Sequence, residues 1–137
     1  MDYAQYIGLP FLDKGRTIQG VDCWGLVRLI LWEQFCIEVP SYSEDYITST
    51  DKAEVSALIN QESLGMEPVE QGAARPGDIL VLRLGGRPWH CALVIDPPWF
   101  LHADPHAGVV RERMDGQLWT HRVLGVYRHP HLMEHRC

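Results

Sequence analysis

The sequence predicts an α+β domain. A single long apolar run, Cys23–Phe35, has the length of a buried helix rather than a strand. From residue 75 onward, short apolar runs alternate with turns marked by Pro and Gly, as antiparallel strands do. At 137 residues and 46% hydrophobic, the chain suits one globular domain, residues 1–137, built on one core.

The elements follow in order. Residues 3–7 read as a short helix, followed by a loop through Gly8, Pro10, Gly15 and Gly20. Asp22 suits the N-cap of the Cys23 helix, since its carboxylate can accept from first-turn N–H groups. Gly20 allows a sharp turn before the helix, and Gly25 leaves room for another segment to approach its first turn. Residues 38–45 read as extended, with Pro40 as a breaker. Residues 51–64 read as a second, surface helix, with Asp51 and Glu54 at capping-box spacing and Val55, Leu58 and Ile59 on one face. The turn Arg75-Pro76-Gly77-Asp78 launches a strand at Ile79–Leu84, and Gly85-Gly86-Arg87-Pro88 turns the chain into a strand at 89–95. Asp96-Pro97-Pro98 leads into 99–103, and short strands at 109–111 and Val123–Arg128 complete the set.

Composition excludes several function classes. A net charge of -6 and a pI near 5.6 argue against nucleic acid, whose phosphates require a basic patch. No stretch approaches the ~20 apolar residues of a membrane span. The N-terminus carries neither the basic region nor the apolar block of a secretory signal, so synthesis in a reducing cytoplasm is expected. Cys23, Cys36, Cys91 and Cys137 are irregularly spaced and do not read as a disulfide framework. His131 and His135 in the C-terminal tail sit one helical turn apart. A closed metal site needs more ligands on a firmer frame, so no metal is expected.

Chemistry converges on Cys23. At the N-terminus of a helix the dipole favours thiolate over thiol and makes the sulfur a nucleophile. The local pattern is equally that of a buried core cysteine. The histidines decide between the two. A hairpin centred on Asp96 makes His90 and His102 direct cross-strand partners on one face of the sheet. Such a pair suits a base and the group that orients it. Cys23 as nucleophile, His90 as base and His102 as orienting group form a cysteine-hydrolase triad. Cys91 then points to the opposite face of its strand and into the core, where Cys36 is also expected. His106 and His121 read as surface residues. Trp24, Trp89 and Trp99 line a groove or pack the core.

These residues resemble the NlpC/P60 cysteine peptidases, particularly short phage-tail members. Gly20-Val21-Asp22-Cys23-Trp24-Gly25-Leu26-Val27 is similar to the nucleophile motif in its phage form, with tryptophan in place of serine. Arg75-Pro76-Gly77-Asp78-Ile79-Leu80 resembles the turn before the central strands. His90-Cys91-Ala92-Leu93-Val94 and Leu101-His102-Ala103 resemble the strands bearing the catalytic histidine and the third polar residue. The resemblance implies a papain-like fold, the cysteine helix packed on an antiparallel sheet, and catalytic roles for Cys23, His90 and His102. It implies hydrolysis of peptidoglycan stem peptides without a cofactor, other phage-tail proteins as partners, and carriage in a phage tail or tail-like particle.

Three positions depart from the family pattern. Phe11 stands where many members have a tyrosine twelve residues before the cysteine, Lys14-Gly15 replaces a glycine pair, and Trp24 replaces serine. Asp22, Trp24 and Phe11 are the candidate oxyanion or substrate-binding positions. The main-chain N–H of Cys23 is the candidate oxyanion donor. The alternative consistent with Phe11 and Trp24 is an inactive tail-tip assembly protein that keeps the fold.

Overall fold

Asp22 starts the helix. Its carboxylate accepts the Gly25 main-chain N–H at 2.8 Å, satisfying a first-turn donor, and helix α1 runs Cys23–Phe35 as predicted. The computed structural model of the chain describes residues 3–39, 66–84 and 87–133. Leu26, Val27, Ile30, Leu31 and Phe35 are enclosed, and α1 is buried on most of its surface, as expected of a helix apolar nearly all round. The helix ends at Cys36, which takes the left-handed conformation at φ 54° and sends its N–H back to Trp32. Cys36 is therefore not the core residue expected from its apolar neighbours. It is exposed and disulfide-bonded.

Before the helix, residues 3–7 yield only a 3₁₀ turn at Ala4–Tyr6. The expected loop contains two short antiparallel strands, β1 (Arg16–Thr17) and β2 (Gly20–Val21), too brief to show a period of two. This segment lies tightly over the first turn of α1. A Cβ at Gly25 would sit 1.9 Å from the Gly15 carbonyl oxygen, so the approach anticipated at Gly25 is made by backbone. The helix expected at 51–64, and the extended reading beyond Val39, lie outside the described residues.

The main sheet contains β3 (Glu67–Val69), β4 (Ile79–Leu84), β5 (Arg87–Val94), β6 (Trp99–Asp104), β7 (Gly108–Arg113) and β8 (Val123–Arg128). Its spatial order is β3-β8-β4-β5-β6-β7, with every described pairing antiparallel. Strand β3 was not expected, and it carries Pro68. On an edge strand its missing N–H is tolerated. Strand alternation divides the core in two. Ile79, Val81, Cys91, Leu93, Leu101 and Ala103 belong to the cluster packed with α1. Leu80, Leu82, Ala92, Val94 and Phe100 join Trp119 and Val126 in a second cluster.

The predicted turn at 75–78 is tied to the far strand by charge. Asp78 is fully buried, accepts two hydrogen bonds of 2.8 Å from Arg128 on β8, and also accepts the Arg75 N–H. At the opposite edge the N-terminal segment pairs with β7. Gly8 donates to the Val109 carbonyl, and Val109 donates to Leu9, both at 2.9 Å. Gly108, at φ 78°, permits this, since a Cβ there would meet the Leu9 oxygen at 2.4 Å.

The β5–β6 hairpin differs from expectation in register. Leu93 pairs with Leu101 and Val94 with Phe100, which centres the turn on Pro97 rather than Asp96. His90 and His102 are therefore offset along their strands instead of directly opposite. The offset is two residues, so both side chains keep the same face. The ladder stops at Leu93–Leu101, and the two histidines lie beyond its last rung.

Candidate active site

The structure brings Cys23, His90 and His102 together from α1, β5 and β6. All three are nearly enclosed, at 5%, 3% and 3% exposure. The rings of His90 and His102 meet edge to face with centroids 5.2 Å apart, and His90 Nε2 lies 3.0 Å from His102 Nδ1. Beyond them, His102 Nε2 lies 2.5 Å from Glu112 Oε2 on β7. Trp119 packs edge-on against the His102 ring at 5.0 Å. A cleft of about 330 Å³ borders this line and is walled by His90, His102, Asp104, Glu112, Leu118 and Arg122.

The surroundings of Cys23 favour its thiolate. The Cys91 thiol donates a hydrogen bond to its sulfur, and the His90 ring adds a hydrogen bond and positive charge, which together outweigh burial and hold the Cys23 pKa well below 9.0. The same bond, with burial, pushes the Cys91 thiol well above 9.0. Cys91 is in the core as expected, but under the first residue of α1, where it contacts Cys23. That contact depends on how the helix sits on the sheet and has no signature in the local sequence. His102 is shifted down from 6.5, first by burial and then by the charge of His90, although Glu112 pulls the other way. Burial thus disfavours the charged form of His102.

The three further candidates, Asp22, Trp24 and Phe11, are turned to the core. Asp22 is 1% exposed and faces inward. One oxygen accepts from Gly25 N–H and from Arg16 at 2.7 Å, and the other from Lys14 N–H at 3.0 Å. It caps the helix and ties the preceding loop to it, leaving no carboxylate surface for a substrate. Trp24 is buried in the core. Phe11 is half-buried, bridges to Val21 and packs against the same core. Trp99 is half-buried beneath the Arg111 and Arg113 guanidiniums, His106 and His121 are exposed, and the Trp89 side chain lies outside the described residues. Among the described residues no group of three or more His, Cys, Asp or Glu is arranged to hold a metal ion, and no helix is long and apolar enough to cross a membrane.

Glu112 was missed. The strand reading stopped one residue short of it, and Arg111-Glu112-Arg113 reads as a solvated edge. The usable signal was parity, because Glu112 pairs with Phe100 and so shares a face with His102.

A reactivity follows from this geometry. Limiting iodoacetamide near neutral pH is expected to label Cys23 ahead of Cys91. Cys36, being disulfide-bonded, does not compete. As pH falls, labelling of Cys23 persists well below 9.0 and slows only when its depressed pKa is crossed. Peptide mapping across pH measures this, and a Cys23 midpoint at or above 9.0 contradicts the thiolate assignment.

Comparison with known proteins bears on the family and the fold. A model of the NlpC/P60 family matches residues 8–128. Murein DD-endopeptidase MepS/murein LD-carboxypeptidase of Escherichia coli (strain K12) is 28% identical over 120 residues, covering 88% of this chain and 55% of that protein. A probable endopeptidase of Haemophilus influenzae is 23% identical over 126 residues, covering 90% of this chain and 68% of its own. The chain thus spans little more than half the length of the Escherichia coli relative. Among solved structures, the NlpC/p60 domain of peptidoglycan hydrolase SagA superposes with a TM-score of 0.63 at 21% identity, covering 91% of each chain. An NlpC/P60 family protein from Bacillus cereus gives 0.65 at 19% identity, covering 90% of this chain and 36% of that one. These likenesses establish the fold as the expected papain-like α+β type, and the match along residues 8–128 establishes that the chain belongs to the NlpC/P60 family.

Proposed function

We propose that this protein is a cysteine peptidase that hydrolyses peptide bonds in peptidoglycan stem peptides, using Cys23, His90 and His102. The observation that carries the reading is a depressed Cys23 thiol beside His90, whose far nitrogen lies 3.0 Å from His102. In this reading the Cys23 thiolate attacks the scissile carbonyl, and the main-chain N–H of Cys23 at the helix terminus supports the developing oxyanion. His90 gives its proton to the departing amine, leaving a thioester. It then takes a proton from water, which attacks the thioester and releases the acid and the thiolate. His102 orients His90 throughout. No step calls for a cofactor. The substrate is supported by family membership and by relatives named as murein and peptidoglycan hydrolases.

The test is digestion of purified peptidoglycan, with soluble fragments separated by chromatography and identified by mass. Wild-type protein is expected to release fragments carrying a new amine and a new carboxylate. Fragments identical to the buffer control would overturn the hydrolase reading in favour of an assembly protein. Phe11→Tyr then asks whether the missing hydroxyl was the obstacle.

The phage form of the motif, with Trp24 after Cys23, supports carriage in a phage tail or tail-like particle alongside other tail proteins. Mass spectrometry of particles purified from the producing cells is expected to find the chain at a fixed ratio to tail proteins. Its absence from the particles removes that part of the proposal.

A further inference from the structure

We propose that Glu112 is a positioning residue that holds His102 in the one tautomer able to receive the proton-bearing nitrogen of His90. The line is then Cys23–His90–His102–Glu112, four residues rather than three. The proposal rests on the reading of His102 as the group that orients His90.

The argument is a count of protons. When Cys23 is a thiolate and His90 an imidazolium, both ring nitrogens of His90 carry hydrogen. Its Nε2–H points along the 3.0 Å contact to His102 Nδ1, which must therefore be a bare acceptor. A neutral imidazole can carry its single proton on either nitrogen, and nothing within the ring forces the choice. With the proton on Nδ1, two N–H groups would face each other and His90 would lose its acceptor. An ionised carboxylate only accepts, so Glu112 at 2.5 Å from Nε2 demands the proton there and leaves Nδ1 bare. His102 then offers His90 a lone pair, as an amide oxygen would.

The fold holds this contact firmly. Glu112 pairs with Phe100 and Val110 with His102, which makes His102 and Glu112 diagonal neighbours on adjacent strands. The Glu112 side chain is 28% exposed, bordering the cleft, while His102 is enclosed behind it. The other ionisable groups facing the line are Cys91 beside His90 on β5, Asp104 on β6, and Arg122 across the cleft.

The experiment measures the pH midpoint of Cys23 alkylation by iodoacetamide, which needs no substrate, together with peptidoglycan hydrolysis and a thermal melt. Glu112→Ala is expected to raise the alkylation midpoint by about one pH unit, because the His90 cation loses a correctly presented acceptor. Hydrolysis should fall about tenfold at neutral pH. Glu112→Gln keeps an acceptor oxygen and should recover most of both. In a His102→Gln background, where an amide oxygen accepts without any tautomer, Glu112→Ala should leave the midpoint unmoved. If Glu112 acts by charge alone, Glu112→Gln behaves like Glu112→Ala and the effect persists in the His102→Gln background. Either result overturns the proposal. An unshifted midpoint in folded Glu112→Ala also overturns it, while wild-type hydrolysis keeps the peptidase reading. A shifted midpoint in a protein that never cleaves peptidoglycan upholds the proposal and sinks only the substrate.

Discussion

Cys23→Ala is expected to abolish peptidoglycan cleavage and leave the fold standing. Without the sulfur no thioester forms, and loss of the nucleophile from such a constellation lowers turnover on the order of 10⁶-fold. His90 and a bound water cannot substitute, because the acyl-enzyme route is removed rather than slowed. Stability should change by about 1 kcal/mol, since one buried atom is deleted. Removing a thiolate held under cover also removes its desolvation cost, which offsets part of the loss. Chromatography of soluble fragments and a thermal melt on the same preparation measure both quantities. Fragment release at the wild-type rate by folded Cys23→Ala would falsify the cysteine-peptidase reading outright.

Asp22→Ala is expected to lose about 3 kcal/mol of stability, the order found when one partner of a buried pair is removed. Three groups converge on this carboxylate: the Gly25 N–H of the first turn of α1, the Lys14 N–H and the Arg16 guanidinium. Alanine leaves both N–H groups without this acceptor and the cation without its counter-charge. The Arg16 side chain is 12% exposed, so it can turn partly toward water and keep the cost at the low end of that range. Asp22→Asn should fall between wild type and alanine. Its oxygen can still cap Gly25, but its NH₂ group would face the Lys14 N–H, donor against donor. Urea denaturation orders the three proteins. Because Cys23 is the next residue, folded Asp22→Ala should also alkylate more slowly near neutral pH than wild type. Equal stability for alanine and wild type would show that the loop and helix are held together without this carboxylate.

Local signals explain why some of this was legible in the sequence. Helix α1 was readable to the residue because an N-cap, an apolar run and a change of character all mark its ends. The histidine pair survived an error in the hairpin, since a two-residue slip keeps both side chains on one face. A one-residue slip would have separated them. What could not be read depends on tertiary placement. Asp22 caps the helix as its position predicts, whereas its second candidacy as a substrate contact, like those of Trp24 and Phe11, rested on nearness to Cys23 or a family position and meets side chains turned to the core. Cys36 looked like core from its neighbours, but a left-handed cap turns it outward. Glu112 needed the β6–β7 register, and β1 and β2 are too short for any periodic pattern.

The pairing of Gly8 and Leu9 with Val109 has a consequence beyond the site. Strand β7 is an outer strand of the sheet, and an outer strand offers its backbone to any other chain that can lie alongside. Those two hydrogen bonds occupy the stretch around Val109 with the protein's own chain, which acts as a built-in guard against strand-to-strand association. The guard depends on Gly108, because any larger residue would push the Leu9 carbonyl away. A single substitution there would therefore favour self-association even though it touches neither Cys23 nor the histidines.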